Sequence, residues 1–206
     1  MPIEVDLVDD TPFLPGALRA RAEVLQDRFH VKVHARTWLD YDLDAAMSAD
    51  VVIFKAELRD HVPAGLKVRA LRRLGVAAVV LLAGESEPHR LQLAGEGATA
   101  VLSRASGYAT LEDELLRLEA DGARAVADDI DPPLLTDREL QIACIFASRA
   151  APSARHIGEL LDLSGETIRA HLQRARGKLQ RSGHAVGTRN SLRLALYDAG
   201  LLFPES

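Results

Sequence analysis

Residues 154–181 read ARHIGELLDLSGETIRAHLQRARGKLQR, and this stretch decides how the last third of the chain folds. Ser153 opens a short helix with Ile157, Leu160 and Leu161 on its inner face, and Asp162-Leu163 forms a tight turn. Ser164 then caps a longer helix that runs to about Gln180. In it Thr167, Ile168, His171, Leu172, Ala175 and Leu179 recur at steps of three and four. A short helix, a turn and a longer basic helix form a helix-turn-helix pattern. The first helix must pack across the second, and Leu160 and Leu163 facing Ile168 and Leu172 are the expected clamp. The outer face of the second helix then carries Gly165, Glu166, Arg169, Ala170, Gln173, Arg174, Arg176 and Arg181.

That face is chemically complementary to duplex DNA. Arginine addresses guanine O6 and N7, glutamine addresses adenine N6 and N7, and alanine meets a thymine methyl, so Arg169, Ala170 and Gln173 are expected to read bases in the major groove. Ser164, Thr167, Arg174, Lys178 and Arg189 suit phosphate contacts, which position the protein without specifying sequence. The chain as a whole has net charge −5, which hides an asymmetry. Residues 1–130 carry 22 acidic and 15 basic side chains, whereas residues 131–206 carry 8 and 10. Within 163–193 the only acid is Glu166, against Arg169, Arg174, Arg176, Lys178, Arg181, Arg189 and Arg193. Local basic density, not the sum over the chain, sets affinity for a phosphate backbone.

Working outward, Thr136 caps a helix over 137–148, and Glu139 three positions later completes a capping box. Leu140, Cys144 and Ala147 line the inner face of that helix, and a last helix runs from Ser191 to Leu201. Taken together, LTDRELQIACIFAS, ARHIGELLDLSGETIRAHLQRARGKL and the closing helix resemble the four-helix LuxR-type DNA-binding domain over about 134–202. Leu135-Thr136 with Arg138-Glu139 resembles the family's opening. Ile157, Leu160, Leu161 and Leu163 resemble its scaffold helix, and Ser164, Thr167, Ile168, His171, Leu172 and Lys178-Leu179 its recognition helix. The resemblance implies base contact by Arg169, Ala170 and Gln173, and homodimerisation through Leu192, Leu196, Ala199 and Leu202. The longer loops RAAPSAR and SGHAVGTRN depart from the family pattern.

The first 121 residues alternate apolar runs with helical spacing. Strands are expected at 3–9, 31–35, 51–54, 76–83 and 99–103. Helices are expected over 14–29, 43–49, 66–74 with a basic outer face, 88–95, and 111–119 with Thr110 as N-cap. Five strands alternating with five helices predict a doubly wound five-stranded parallel sheet. The class is therefore α/β plus all-α, with domains at 1–121 and 134–206 and a linker at 122–133 marked by ADDIDPP. This order resembles the receiver of a two-component response regulator. Such receivers hold Mg²⁺ on an acidic pair and are phosphorylated on an aspartate. Asp9 and Asp10 match the acidic pair, but Lys55 stands at the phosphoacceptor, Leu82 at the hydroxyl and Arg104 at the lysine position. A lysine forms no acyl phosphate, and its ammonium repels a divalent cation. The first domain is therefore expected not to be phosphorylated by the usual route, with Lys55 paired to Asp9 or Asp10. Glu57 is expected in the following loop. A small molecule or a protein is the expected effector.

Other classes find no support. There is no Gly-rich phosphate loop, no nucleophile-elbow motif and no metal-spaced histidine set, so neither an enzyme nor a metal or cofactor is expected. The single cysteine, Cys144, cannot close an intrachain disulfide and suits a buried small hydrophobe. No apolar run reaches membrane-spanning length and the first residues do not resemble a secretion signal, so a cytoplasmic location is expected. Two alternatives to a DNA-binding transcription regulator remain: a response regulator switched by phosphate or ligand, and a protein-binding adaptor without DNA affinity. The acid-free basic cluster from Arg169 to Arg189 argues against the adaptor.

Overall fold

The computed structural model describes residues 2–25, 28–123 and 130–203, without the side chain of Ala45. The chain divides into two compact units, Met1–Ile130 and Asp131–Ser206. Most of the expected linker, residues 124–129, lies outside the described residues.

The first unit is a five-stranded, all-parallel sheet in the order β2-β1-β3-β4-β5. The strands are β1 (Ile3–Val8), β2 (Phe29–Ala35), β3 (Val51–Lys55), β4 (Ala77–Leu82) and β5 (Ala100–Ser103). The helices are α1 (Phe13–Val24), α2 (Leu43–Ala46), α3 (Ala64–Leu74), α4 (Glu87–Glu96) and α5 (Gly107–Asp121). All six residues of β4 are buried, as befits an interior parallel strand covered on both faces. Val5, Leu7, Val51, Ile53, Val79 and Leu81 face Leu18 and Ala22 of α1 and Leu111, Leu115 and Leu118 of α5. Phe54 points the other way and packs on Trp38, ring centroids 5.7 Å apart.

Three expectations fail here. Phe29 begins β2 rather than ending α1, which stops at Val24. Its four-residue step from Leu25 continues a helical rhythm by coincidence. Thr110 is not an N-cap: α5 starts at Gly107, and the Thr110 hydroxyl donates back to the Ser106 carbonyl at 3.2 Å. The basic outer face of α3 is in part interior, because Lys67 and Arg69 are buried. Lys67 Nζ donates to both oxygens of Asp60 at 2.9 and 2.8 Å, and Arg69 binds Glu96 through Nε and Nη2 at 2.5 and 2.6 Å. A charge deprived of water needs such a partner.

The second unit contains α6 (Asp137–Ala147), α7 (Ala154–Leu161), α8 (Gly165–Arg181) and α9 (Arg189–Asp198). Thr136 and Glu139 form the expected capping box on α6. Ser153 and Ser164 accept from the third helical amide of α7 and α8, at His156 and Thr167. Thr188 forms a second capping box with Ser191 at the start of α9. Leu140, Ile157, Ile168, Leu172, Ala175, Leu179, Leu192 and Leu196 are buried. Cys144 is buried too, and burial pushes its thiol pKa up to about 12.

Candidate functional site

The α7–turn–α8 pair is held by a closer contact than the expected clamp. Leu160 is 63% exposed and takes no part in it. Gly158 occupies the inner position, and the chain turns back over it: a methyl group there would lie closer than 3.0 Å to the Leu163 carbonyl oxygen. Asp162 adopts φ 53°, and the Leu163 amide donates to the Gly158 carbonyl at 2.8 Å. This is a left-handed helix cap in which the missing side chain of Gly158 lets the two backbones meet. Ile168 and Leu172 hold α8 from beneath.

On the outside of α8, Arg169 and Gln173 are exposed, one helical turn apart, and their side chains bond to no described residue. Ala170 beside them is partly covered. The other cations are more committed. Lys178 Nζ donates to buried Glu139 at 2.7 Å, and Arg174 Nε lies 3.7 Å from the other oxygen of the same carboxylate. Burial raises the Glu139 pKa, but Lys178 and the Thr136 cap outweigh it and hold the carboxyl below its ordinary value. Arg174 also donates to His171 Nδ1 at 2.9 Å. Burial, and then the Arg174 charge, lower the His171 pKa below its ordinary value, which favours the neutral ring that accepts from Arg174. The Ser164 hydroxyl is engaged with Thr167 as the cap of α8.

Arg189 departs most from its expected phosphate role. Its guanidinium lies 4.0 Å from the Phe146 ring centroid and donates to the carbonyls of Ala151 and Pro152 at 2.6 and 2.8 Å. Arg193, which sequence reasoning did not single out, donates likewise to Ala147 and to Ser148, the latter at 2.6 Å. These two arginines satisfy carbonyls at and beyond the end of α6, where helix geometry leaves acceptors without partners. Arg176 also rests its guanidinium over the Phe146 ring, 5.6 Å from the centroid, and its buried Nε has no partner among the described residues. Leu192 and Leu196 are fully buried in their own unit and are not free to form a dimer face. Ala199 and Leu202 are partly covered.

In the first unit, the register Val8↔Phe54↔Val80 and Leu82↔Ser103 gathers Asp9, Asp10, Lys55, Leu82 and Arg104 at the C-terminal edge of the sheet. Open parallel sheets bind ligands along this edge. Lys55 Nζ donates to Asp10 Oδ1 at 2.6 Å. Burial raises the Asp10 pKa, but the Lys55 hydrogen bond and charge win and hold it below its ordinary value. Asp9 is buried and accepts the amide and hydroxyl of Thr11 on one oxygen, both at 2.8 Å. Leu82 is buried and Arg104 exposed. Glu57 sits in the turn after β3 and accepts from the Ala83 amide at 2.9 Å. These residues do not fit Mg²⁺, since one carboxylate carries an ammonium and the other faces a hydroxyl. Among the described residues no cluster of three or more metal-ligating side chains is placed to hold an ion.

Comparison with known proteins places this geometry. No protein-family model matches the sequence, and no curated protein is significantly similar to it. Solved structures do match. A complex of the two-component response regulator RcsB with DNA superposes with TM-score 0.60 at 17% identity, over 95% of this chain and 99% of that chain. RcsB from Salmonella enterica serovar Typhimurium bound to promoter rprA with the phosphomimetic BeF3− gives 0.58 at 16%, over 96% and 99%. A further RcsB structure from Salmonella typhimurium, concerned with conformational dynamism for DNA interaction, gives 0.59 at 16%, over 96% and 98%. The fold of this chain matches that of RcsB. In the response-regulator fold the parallel sheet is the receiver and α6–α9 the helix-turn-helix domain, and this chain covers both. No helix among the described residues is long and apolar enough to cross a membrane.

Proposed function

We propose that this protein is a sequence-specific, DNA-binding transcription regulator, with a receiver-like domain at 1–121, a linker at 122–133 and a LuxR-type domain at 134–206. The observation that carries the reading is the pair Arg169 and Gln173, presented on one face of α8 with no competing side-chain partner among the described residues, while neighbouring cations are tied into the domain. Arginine and glutamine one turn apart on a groove-entering helix suit bidentate contacts to purine edges, with Ala170 against a thymine methyl. Arg174, and Ser164 and Thr167 at the start of α8, are the phosphate contacts. Lys178 reaches phosphate only by sharing its ammonium with Glu139. RcsB of the same fold has been captured on promoter DNA, which favours the same use of α8 here. The protein acts in the cytoplasm as a homodimer on paired half-sites.

The receiver-like domain does not take a phosphoryl group by the usual route. Lys55 occupies the phosphoacceptor position and neutralises Asp10, so the edge is closed by an ion pair rather than opened to a cation. The protein catalyses no reaction and uses no cofactor, and its input is a small molecule or a protein. Selection of bound sequences from random duplex DNA tests the DNA reading. The intact protein should enrich one motif, and Arg169→Ala and Gln173→Ala should relax different positions of it by about 1–3 kcal/mol each. Failure to enrich any motif, or an identical motif from both variants, refutes base reading by α8. Incubation with acetyl phosphate and Mg²⁺ should leave the intact mass unchanged.

A further inference from the structure

We propose that the receiver-like unit binds a small aromatic anion in a cleft between the N-terminal ends of α1 and α5. The cleft has a volume of about 250 Å³. Leu14, Leu81, Leu102 and Leu111 form its floor, and Phe13 and Tyr108 its lips. Phe13 is 80% exposed and Tyr108 46%, and the Tyr108 hydroxyl donates to the Phe13 carbonyl at 3.4 Å, which ties the lips together. Two wet aromatic rings over an apolar floor leave surface whose burial by a ligand is favourable, at about 25 cal/mol per Å².

The charge of the occupant follows from what else faces the cleft. Asp9 is the only carboxylate on its walls among the described residues. It is nearly inaccessible, and one of its oxygens is taken by the amide and hydroxyl of Thr11. Arg104, on the 3₁₀ turn between β5 and α5, is exposed, and its guanidinium bonds to no described residue. The accessible charge at the mouth is therefore a guanidinium, which favours a carboxylate or sulfonate over a neutral or cationic group. A cleft just below the ordinary range for drug-sized ligands, roughly 300–1,000 Å³, takes one or two fused rings. The ligand lies flat on the leucines, between the two aromatic lips, with its anionic group on Arg104. This site is separate from α8, and its occupancy does not depend on the DNA reading.

Titration of the full chain with 8-anilinonaphthalene-1-sulfonate, read by dye fluorescence, tests the site without DNA. One equivalent should saturate it. Phe13→Ser and Arg104→Gln, both at exposed positions, should each weaken binding roughly three- to tenfold, about 0.7–1.4 kcal/mol, with an unchanged circular dichroism spectrum. Leu91→Ser, which removes another exposed apolar side chain, from α4 (57% exposed), should leave binding as it is. Naphthalene-1-sulfonate should displace the dye at lower concentration than neutral naphthalene-1-methanol. Binding that does not saturate, that is indifferent to Phe13 and Arg104, or that both competitors displace equally, overturns the proposal.

Discussion

Replacing Gly158 by alanine tests whether backbone contact, rather than a leucine clamp, sets the angle between α7 and α8. The added methyl would fall closer than 3.0 Å to the Leu163 carbonyl oxygen, and non-bonded carbon–oxygen contacts begin near about 3.3 Å. No side chain can rotate to relieve it. The oxygen belongs to a turn already committed to a left-handed residue at Asp162 and to the Leu163 to Gly158 hydrogen bond. Backbone must therefore move by several tenths of an ångström, which for overpacking of this kind costs about 1–3 kcal/mol. In a unit the size of residues 131–206, each kcal/mol is worth roughly 4–8 °C, so its melting temperature should fall by roughly 5–20 °C. The two units can be followed separately in the intact chain, because the single tryptophan, Trp38, lies in the first. Circular dichroism at a helix wavelength should show the second unit melting earlier, while the Trp38 fluorescence transition stays in place. Gly177→Ala in mid-α8 is the control. Its methyl meets only the Arg181 guanidinium at 3.6 Å, and it should gain about 0.5–1 kcal/mol. A Gly158→Ala protein as stable as its parent refutes the close-approach argument.

Three further outcomes follow from the same contacts. Arg189→Ala should destabilise the second unit by about 1–3 kcal/mol, through two carbonyl hydrogen bonds and the Phe146 stack, yet leave the salt dependence of duplex binding unchanged. A drop of about one in the slope of log affinity against log salt would return it to the phosphate contacts. Glu139 has a folded pKa below its ordinary 4.5, so its stabilisation is present above that value and lost as pH falls through the lower folded one. Acid titration of helicity should accordingly show a weaker loss below about pH 4.5 for Glu139→Gln than for the parent. Lys67→Met should lower the stability of the first unit by about 3–5 kcal/mol, read from the denaturant midpoint of Trp38 fluorescence, because Asp60 is left buried without its cation.

What was legible in the sequence was what short-range pattern encodes. Continuous apolar runs at 51–54 and 76–83 marked the covered strands. Thr136 with Glu139, and Ser164 before a three-four rhythm, marked helix starts that the structure reproduces as capping bonds. What escaped depends on partners distant in sequence. Lys67 and Arg69 look like a solvated helix face until Asp60 and Glu96 arrive from a loop and from α4. Arg189 and Arg193 counted towards a basic cluster, yet their guanidinium groups cap α6, some 40 residues earlier. Leu160 and Leu161 are indistinguishable by periodicity, and the position that mattered, Gly158, carries no side chain from which to read a role. Arg169 and Gln173 were found correctly as exposed because an outward face is a local property of a helix. Lys55 was legible because its charge alone decides what the sheet edge can hold, and Asp10 is its partner.

The central claim is that Arg169 reads a base edge directly, and atomic substitution of the DNA meets it most squarely. Each purine of the selected duplex is replaced in turn by its 7-deaza analogue, and affinity is measured for the parent protein and for Arg169→Ala. The account predicts one purine at which removing N7 weakens the parent by about 1–3 kcal/mol and leaves Arg169→Ala unaffected. Equal losses for both proteins at every purine would contradict it.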